Sequence, residues 1–319
     1  MIFIDRQGET VAKLMDALSG TDYVARLEKV LQLAVGKPAV AVNTFDSGVH
    51  TALYLCGVKS GDYVFAPTFT FYSYLAAITN MEAVPVFLDC DPMTRCVSPL
   101  ALEAALVWAS LQNKPPKAVI VDDAFGSRPD YDVIIPLCKA WNVPVIELCS
   151  GVLGAASGCD YCVIAFGSDG GGGAAVCGDE RGEARQFTRY EYTDGENHDY
   201  RLNNYSAAAA CAHLSVAPKI QTRKKANLAA LTALDCVLPP VKNDNADYAL
   251  CKTKKIKELE AAGFNVLRPP LVHELSRYSG CHFFEHEQGF SVASSLKEYA
   301  LIDMDFSPIK RYKLISLLK

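Results

Sequence analysis

Between residues 39 and 147 the chain alternates short apolar runs with stretches whose apolar side chains recur at helical spacing, and this narrows the possible folds more than any other feature. The apolar runs cover residues 39–42, 63–66, 84–89, 117–121 and 144–147, and the helical stretches cover 50–57, 71–80, 98–111 and 132–141. Runs such as Ala39-Val40-Ala41-Val42 are apolar at every position, as strands are when both faces are buried. Strands joined through helices run parallel, so the order predicts a mainly parallel sheet with helices on both faces, a three-layer α/β domain. Such sheets bind ligands at the carboxyl ends of their strands. The loops after Val42, Ala66, Val121 and Glu147 are therefore the places to look for chemistry.

Residues 8–34 have helical periodicity and precede the first strand, whereas beyond Val176 the pattern changes. Residues 180–204 are polar and read as loop, 206–214 and 220–234 read as two helices, and 236–247 form a connection rich in turn residues. Residues 248–319 predict a short strand, a helix over 255–262, a strand-like 264–267, a break at Pro269-Pro270 and helices near 291–299 and 307–318. A large domain over residues 1–235 and a small α+β domain over 236–319 are expected, an organisation that suits 319 residues.

A net charge of -5, from 31 basic and 36 acidic residues without a long basic run, gives no electrostatic footprint for nucleic acid. Arg223-Lys224-Lys225 reads as a solvated helix face. Met1 to Asp5 lack the basic start and apolar core of a secretory signal, and no apolar run approaches membrane-spanning length, so a soluble, cytoplasmic protein is expected. In that setting the 12 cysteines read as reduced thiols. Cys159-Asp160-Tyr161-Cys162 is a lone C-x-x-C with Cys149 and Cys177 nearby in sequence, and its cysteines fall in strand-like runs where packing explains them. His282 and His286 share a spacing that suits one helix face but have no evident third ligand, so no metal site is assigned.

Phe166-Gly167-Ser168-Asp169-Gly170-Gly171-Gly172-Gly173 resembles a phosphate cradle in composition only. A dinucleotide or P-loop motif needs a helix after its glycines, whereas Ala174-Ala175-Val176-Cys177 reads as a strand.

The runs GVKSGDYVFAPTFTFYSYLAAI, EAVPVFLDCDPMTRCVSPLALEAAL, WNVPVIE, DYRLNNYSAAAACAHL and KELEAAGFNVLRPPL, in that order, resemble the DegT/StrS sugar aminotransferases. The resemblance implies the fold of the aspartate aminotransferase superfamily and a chemistry in which a lysine and pyridoxal phosphate move an amino group onto a nucleotide-linked keto sugar. That chemistry requires a lysine amine, a carboxylate at the pyridine nitrogen, donors for the phosphate and a ring-stacking side chain.

On the resemblance, most of those anchors are altered. The glycine-threonine pair at the phosphate falls on Phe45-Asp46, or, with a gap, Ser47-Gly48 enters the motif and Val49 replaces the threonine. Leu148 stands where the pyridine carboxylate belongs, and Gly151 where glutamine or histidine belongs. Ala165-Phe166 matches a serine-phenylalanine pair with serine lost, Gly171-Gly172-Gly173 matches a glutamate-glycine-glycine turn with glutamate lost, and no lysine occurs between Lys139 and Lys219. Phe71 keeps the ring-stacking position, and Tyr200-Arg201 matches a pair that in the family reaches the neighbouring subunit, with Asp199 in place of asparagine.

A family homologue that does not use pyridoxal phosphate, and holds no cofactor, is therefore expected. It would be a homodimer or the partner of a paralogue, with a nucleotide sugar as possible ligand. Asp46, His50, Asp122, Asp123, Glu147, Asp169 and His198 are the acid-base candidates, and Asp122-Asp123 at a strand end is the most suggestive pair, leaving a metal there open. A working aminotransferase with a divergent site and a cofactor-independent enzyme on nucleotide sugars are the alternatives.

Overall fold

The computed structural model describes residues 12–150, 158–167, 172–189, 198–239, 246–269, 271–285 and 291–319. After the helix α1 (residues 12–18), the large unit runs α2 (Tyr23–Val35), β1 (Ala39–Val42), α3 (Phe45–Leu55), β2 (Tyr63–Pro67), α4 (Leu75–Asn80), β3 (Val84–Leu88), α5 (Pro99–Leu111), β4 (Ala118–Asp122) and α6 (Tyr131–Ala140). β5 (Val145–Ser150), β6 (Tyr161–Ala165), β7 (Ala174–Cys177), α7 (Arg181–Thr188) and α8 (Asn204–Leu231) follow. Then come β8 (Tyr248–Lys252), α9 (Ile256–Ala261), β9 (Val266–Leu267), β10 (Phe283–Phe284), α10 (Val292–Ser295), β11 (Tyr299–Asp303) and α11 (Pro308–Leu318).

One sheet has the order β1-β7-β6-β5-β4-β2-β3-β10 and is parallel except at β7, which is antiparallel to both β6 and β1. The predicted three layers are present. On one face α3, α4 and the short turn before α4 bring Val49, Leu53, Tyr74 and Ile78 against Ile120, Ile146, Leu148 and Val163. On the other, α2 and the start of α8 cover Ala39, Cys149, Cys162 and Cys177, while α5 and α6 cover Phe65, Val86, Val119 and Val145. A second, antiparallel sheet, β8-β11-β9, packs with α9 and α11 around Leu231, Ile302 and Phe306. Among the described residues no helix is long and apolar enough to cross a membrane.

Several local expectations are corrected. Residues 181–188, read as loop, are the helix α7, whose Arg181 and Arg185, with Arg189 just beyond it, hold the buried Glu28 carboxylate at 2.9, 2.5 and 3.1 Å. The two helices expected around residues 206–234 are one 28-residue helix that runs through Pro218. Proline takes the helical donor from the carbonyl four residues earlier and crowds that carbonyl with its ring, a cost that tertiary packing along α8 outweighs. The basic cluster on α8 is no free solvated face, because Arg223 pairs with Asp305 and Lys224 reaches Asp247 at 2.7 Å, both in half-buried or buried surroundings. Phe283–Phe284 adds a two-residue strand beside β3, and His282 packs on Trp108 at 4.3 Å; His286 lies outside the described residues.

Candidate functional site

The carboxyl ends of β1, β2, β4, β5 and β6 open at one edge of the sheet, and α3 begins there. Its N-cap is in place: the Thr44 hydroxyl accepts from Ser47 N at 3.0 Å, and the Ser47 hydroxyl donates to Asn43 at 2.8 Å. Asp46 lies in the first turn, half-buried, with its carboxyl pushed up by burial. An anion here would meet a capped helix end and an acidic side chain. Sliding Ser47-Gly48 into the motif does not open a cradle. A Cβ on Gly48 would lie 2.7 Å from Val163 Cγ1, so that glycine seats α3 on the sheet. Phe45 packs edge-on against Tyr74 with centroids 6.3 Å apart, beside the core that contains Leu148.

Leu148 is fully buried. Its register partner on β4 is Asp122, which accepts a hydrogen bond from the Thr70 hydroxyl and whose carboxyl burial raises to about 7. Asp123 points to the opposite face, where Tyr131 OH donates to it at 2.5 Å. Burial first, then the charge of Glu147, raises Asp123 to about 8. The two aspartates, adjacent in sequence, therefore do not converge on one ligand, because successive strand residues face opposite sides. Phe71 is half-buried, its ring packed on Phe125 at 4.5 Å and facing Tyr248 at 6.4 Å, so protein rings already occupy its surroundings. Phe125 itself sits at φ 58°, and the following Gly126 at φ 91° lets Asp247 N approach to 2.7 Å of where a Cβ would be.

β6 and β7 pair as a hairpin, and Gly167, Gly172 and Gly173 of the glycine run lie at its described ends. Phe166 N donates to Gly173 O at 2.9 Å and Gly172 N to Gly167 O at 2.8 Å, with Gly167 and Gly172 at φ +62° and +75°. Gly173 is tight for another reason: a Cβ there would press on the Leu202 side chain and lie 3.1 Å from Val42 O. Ala165, the last residue of β6, pairs with Ala174 across this hairpin. Asp169 and Gly151 lie outside the described residues.

Above α3, a strap through residues 198–202 crosses the end of β1, with Asn43 N donating to Tyr200 O at 2.8 Å. It brings together two candidates that the sequence leaves separate. His50 Nδ1 and Tyr200 OH are 2.8 Å apart, His198 stacks on Tyr200 at 4.8 Å, and the two imidazoles lie 5.0 Å apart. Burial, with His198 as a lesser cause, lowers His50 to about 4, so it is neutral at physiological pH. Asp199 instead forms an exposed pair with Arg201 at 2.7 Å.

These residues do not fit pyridoxal phosphate. The helix end that would hold its phosphate is capped and acidic, Leu148 offers nothing to a pyridine nitrogen, and the lysine-free stretch from 140 to 218 includes the whole β5–β7 edge. Lys37, the lysine nearest before β1, bonds to the carbonyls of Cys159 and Asp160 at 2.8 Å, before β6 rather than after it. What the site offers instead is two buried carboxyls titrating near neutrality and a neutral His-Tyr pair. Sequence reasoning did not foresee the Thr70, Tyr131 and Tyr200 contacts, because each depends on strand register or on the strap.

Residues 5–162 match the model of the DegT/DnrJ/EryC1/StrS aminotransferase family. The provisionally named pyridoxal phosphate-dependent aminotransferase EpsN of Bacillus subtilis (strain 168) is 36% identical over 216 residues, 60% of this chain and 55% of that protein. The L-glutamine:scyllo-inosose aminotransferase of Streptomyces griseus is 32% identical over 116 residues, 36% of this chain and 26% of that one. The matches thus span about half, or less, of these relatives' length. In fold, the chain is similar to a DegT DnrJ EryC1 StrS aminotransferase from Brucella abortus, with TM-score 0.84 and 20% identity over 98% of this chain and 95% of that one. It is likewise similar to Helicobacter pylori PseC, with TM-score 0.81 and 15% identity over 97% and 95%. The chain thus carries a domain of the DegT/DnrJ/EryC1/StrS aminotransferase family, built on the architecture of the fold-type-I pyridoxal phosphate enzymes.

Proposed function

We propose that this chain is a sugar-aminotransferase homologue that does not transaminate with pyridoxal phosphate and serves sugar-nucleotide metabolism as a non-catalytic or repurposed protein. The observation that carries the reading is Leu148, fully buried in the core where the family resemblance places the carboxylate for the pyridine nitrogen. The capped, acidic start of α3 and the absence of lysine between residues 139 and 219 support it. The sugar side rests on relatives whose names specify a scyllo-inosose aminotransferase and an aminotransferase involved in the biosynthesis of pseudoaminic acid. The strap at Tyr200-Arg201 and the family fold favour a homodimer or pairing with a paralogue.

Purified protein incubated with pyridoxal phosphate and borohydride is expected to retain no covalently fixed cofactor; one fixed equivalent per chain would refute the reading. Thermal shift against a panel of nucleotide sugars tests the ligand class, because a ligand that binds only the folded chain raises its melting point. Asp122, beside Leu148 across β4 and β5, favours a second reading in which the cofactor binds without a covalent bond. Stoichiometric, borohydride-resistant binding that Asp122→Asn abolishes would establish it.

A further inference from the structure

Glu147, Cys149 and Cys162 lie behind the sheet, on the face opposite Leu148. Glu147 and Cys149 are two residues apart on β5 and so point the same way, and Cys162 on β6 is the register partner of Glu147. A carboxylate oxygen and the two sulfurs all lie within 4.8 Å of one another, with the sulfurs 3.3 Å apart. All three residues are buried, at 2%, 2% and 7% exposure, under apolar side chains from α2 and α8, with Asp123 and Tyr131 on the same face beside them. Cys177 on β7, the register partner of Cys162, extends the row by one strand. Cys159, the other half of the C-x-x-C, belongs instead to the cluster under α5 and α6. The sequence motif therefore does not form the group; the register of β5 and β6 does.

We propose that Glu147, Cys149 and Cys162 form a buried site for a thiophilic divalent metal ion, with zinc as the ion they suit. Zinc takes thiolate sulfur at about 2.3 Å and carboxylate oxygen at about 2.0–2.2 Å in a tetrahedron, which sets two sulfurs about 3.8 Å apart and a sulfur and an oxygen about 3.6 Å apart; here the sulfurs are 3.3 Å apart and the oxygen lies within 4.8 Å of both, so small side-chain shifts would bring the three atoms around one ion. Two sulfurs exclude magnesium and calcium, which prefer all-oxygen shells. Two thiolates and a carboxylate around one dication leave a single net negative charge. The ion would clamp β5 to β6 on the side away from the family's cofactor edge, so this site is independent of the function proposed above.

Binding releases one proton from each thiol, as Zn2+ plus two R–SH gives Zn(S–R)2 plus two H+. Affinity should therefore rise by about a hundredfold per pH unit across the neutral range.

Elemental analysis of protein produced with zinc in the medium and dialysed against metal-free buffer is expected to find about one zinc per chain. Cobalt(II) added to metal-free protein, either directly or during refolding, is expected to give thiolate-to-cobalt charge-transfer bands. These should weaken in Cys149→Ala and in Cys162→Ser and remain in Cys281→Ser. Glu147→Gln, which keeps the shape of the site should the cysteine variants fail to fold, should weaken cobalt binding by roughly tenfold or more, at least the loss that outer-shell partners cause. Metal-free protein without charge-transfer bands under either loading, or bands that survive both cysteine changes, would overturn the proposal.

Discussion

Replacing Asp122 by asparagine removes a titrating group from the core while keeping its shape and an oxygen for the Thr70 hydroxyl. In the folded chain burial raises this carboxyl from 3.8 to about 7, against the opposing hydrogen bond from Thr70. The folded state therefore holds a proton that the unfolded chain has already lost. Stability from this group is fully present below about pH 4, declines as pH rises, and is gone above about pH 7. A shift of about three units corresponds to about 4 kcal/mol at most. Asp122→Asn should match the wild type near pH 4 and exceed it by about 2–4 kcal/mol at pH 8. Urea unfolding followed by circular dichroism at several pH values measures the difference. Asp123, which burial raises to about 8, titrates in both proteins, and since the Asp122 charge is only a lesser cause of that rise, most of its contribution drops out of the difference. Stability curves that stay parallel from pH 4 to 8 would refute the reasoning, and so would a variant weaker than wild type at pH 8, since either would mean that Asp122 is charged and well paired.

Three further perturbations test the packing around the site. Leu148→Asp should lower unfolding stability by about 3–5 kcal/mol at pH 8, combining a lost leucine with a carboxylate placed beside Asp122, and by less at pH 5 where both protonate; a change below about 1 kcal/mol would mean that position 148 faces water. Glu28→Gln removes the shared partner of three arginines and should cost about 2–3 kcal/mol in urea unfolding, discounted because the arginines are about a third exposed. Gly173→Ala should destabilise through the clash with Leu202, and should cost less when made in a Leu202→Ala background than in the wild type; an equal cost in both would place the strain at Val42 O instead.

The strand order was legible because each strand of the parallel set is an apolar run framed by helical periodicity. Segments held by distant partners were not. α7 reads as loop because its residues are polar on most sides, and only the buried Glu28 explains why they form a helix. Pro218 signalled a break that packing along α8 overrides. At the site, the sequence put Asp122 and Asp123 at the correct strand end, and the two-residue period of a strand could already have separated them. The His50, His198 and Tyr200 cluster was less accessible, since it forms only where the strap crosses α3. The thiol-carboxylate group needed the register between β5 and β6, which no spacing within the chain encodes.

The Glu28 carboxylate has an effect beyond its arginines. Besides binding them, it accepts from Ala41 N at 3.2 Å, on the outer side of β1, which is the terminal strand of the large sheet. Further along the same strand, Asn43 N is taken by Tyr200 O and Val42 forms a bridge with Arg201. At the opposite end the last strand, Phe283–Phe284, is only two residues long. An exposed strand edge is a template for edge-to-edge aggregation, and here one edge has its polar groups occupied while the other is too short to recruit a neighbour. Among the described residues, the large sheet therefore offers copies of this chain that meet in a crowded solution no long free strand on which to nucleate a growing sheet.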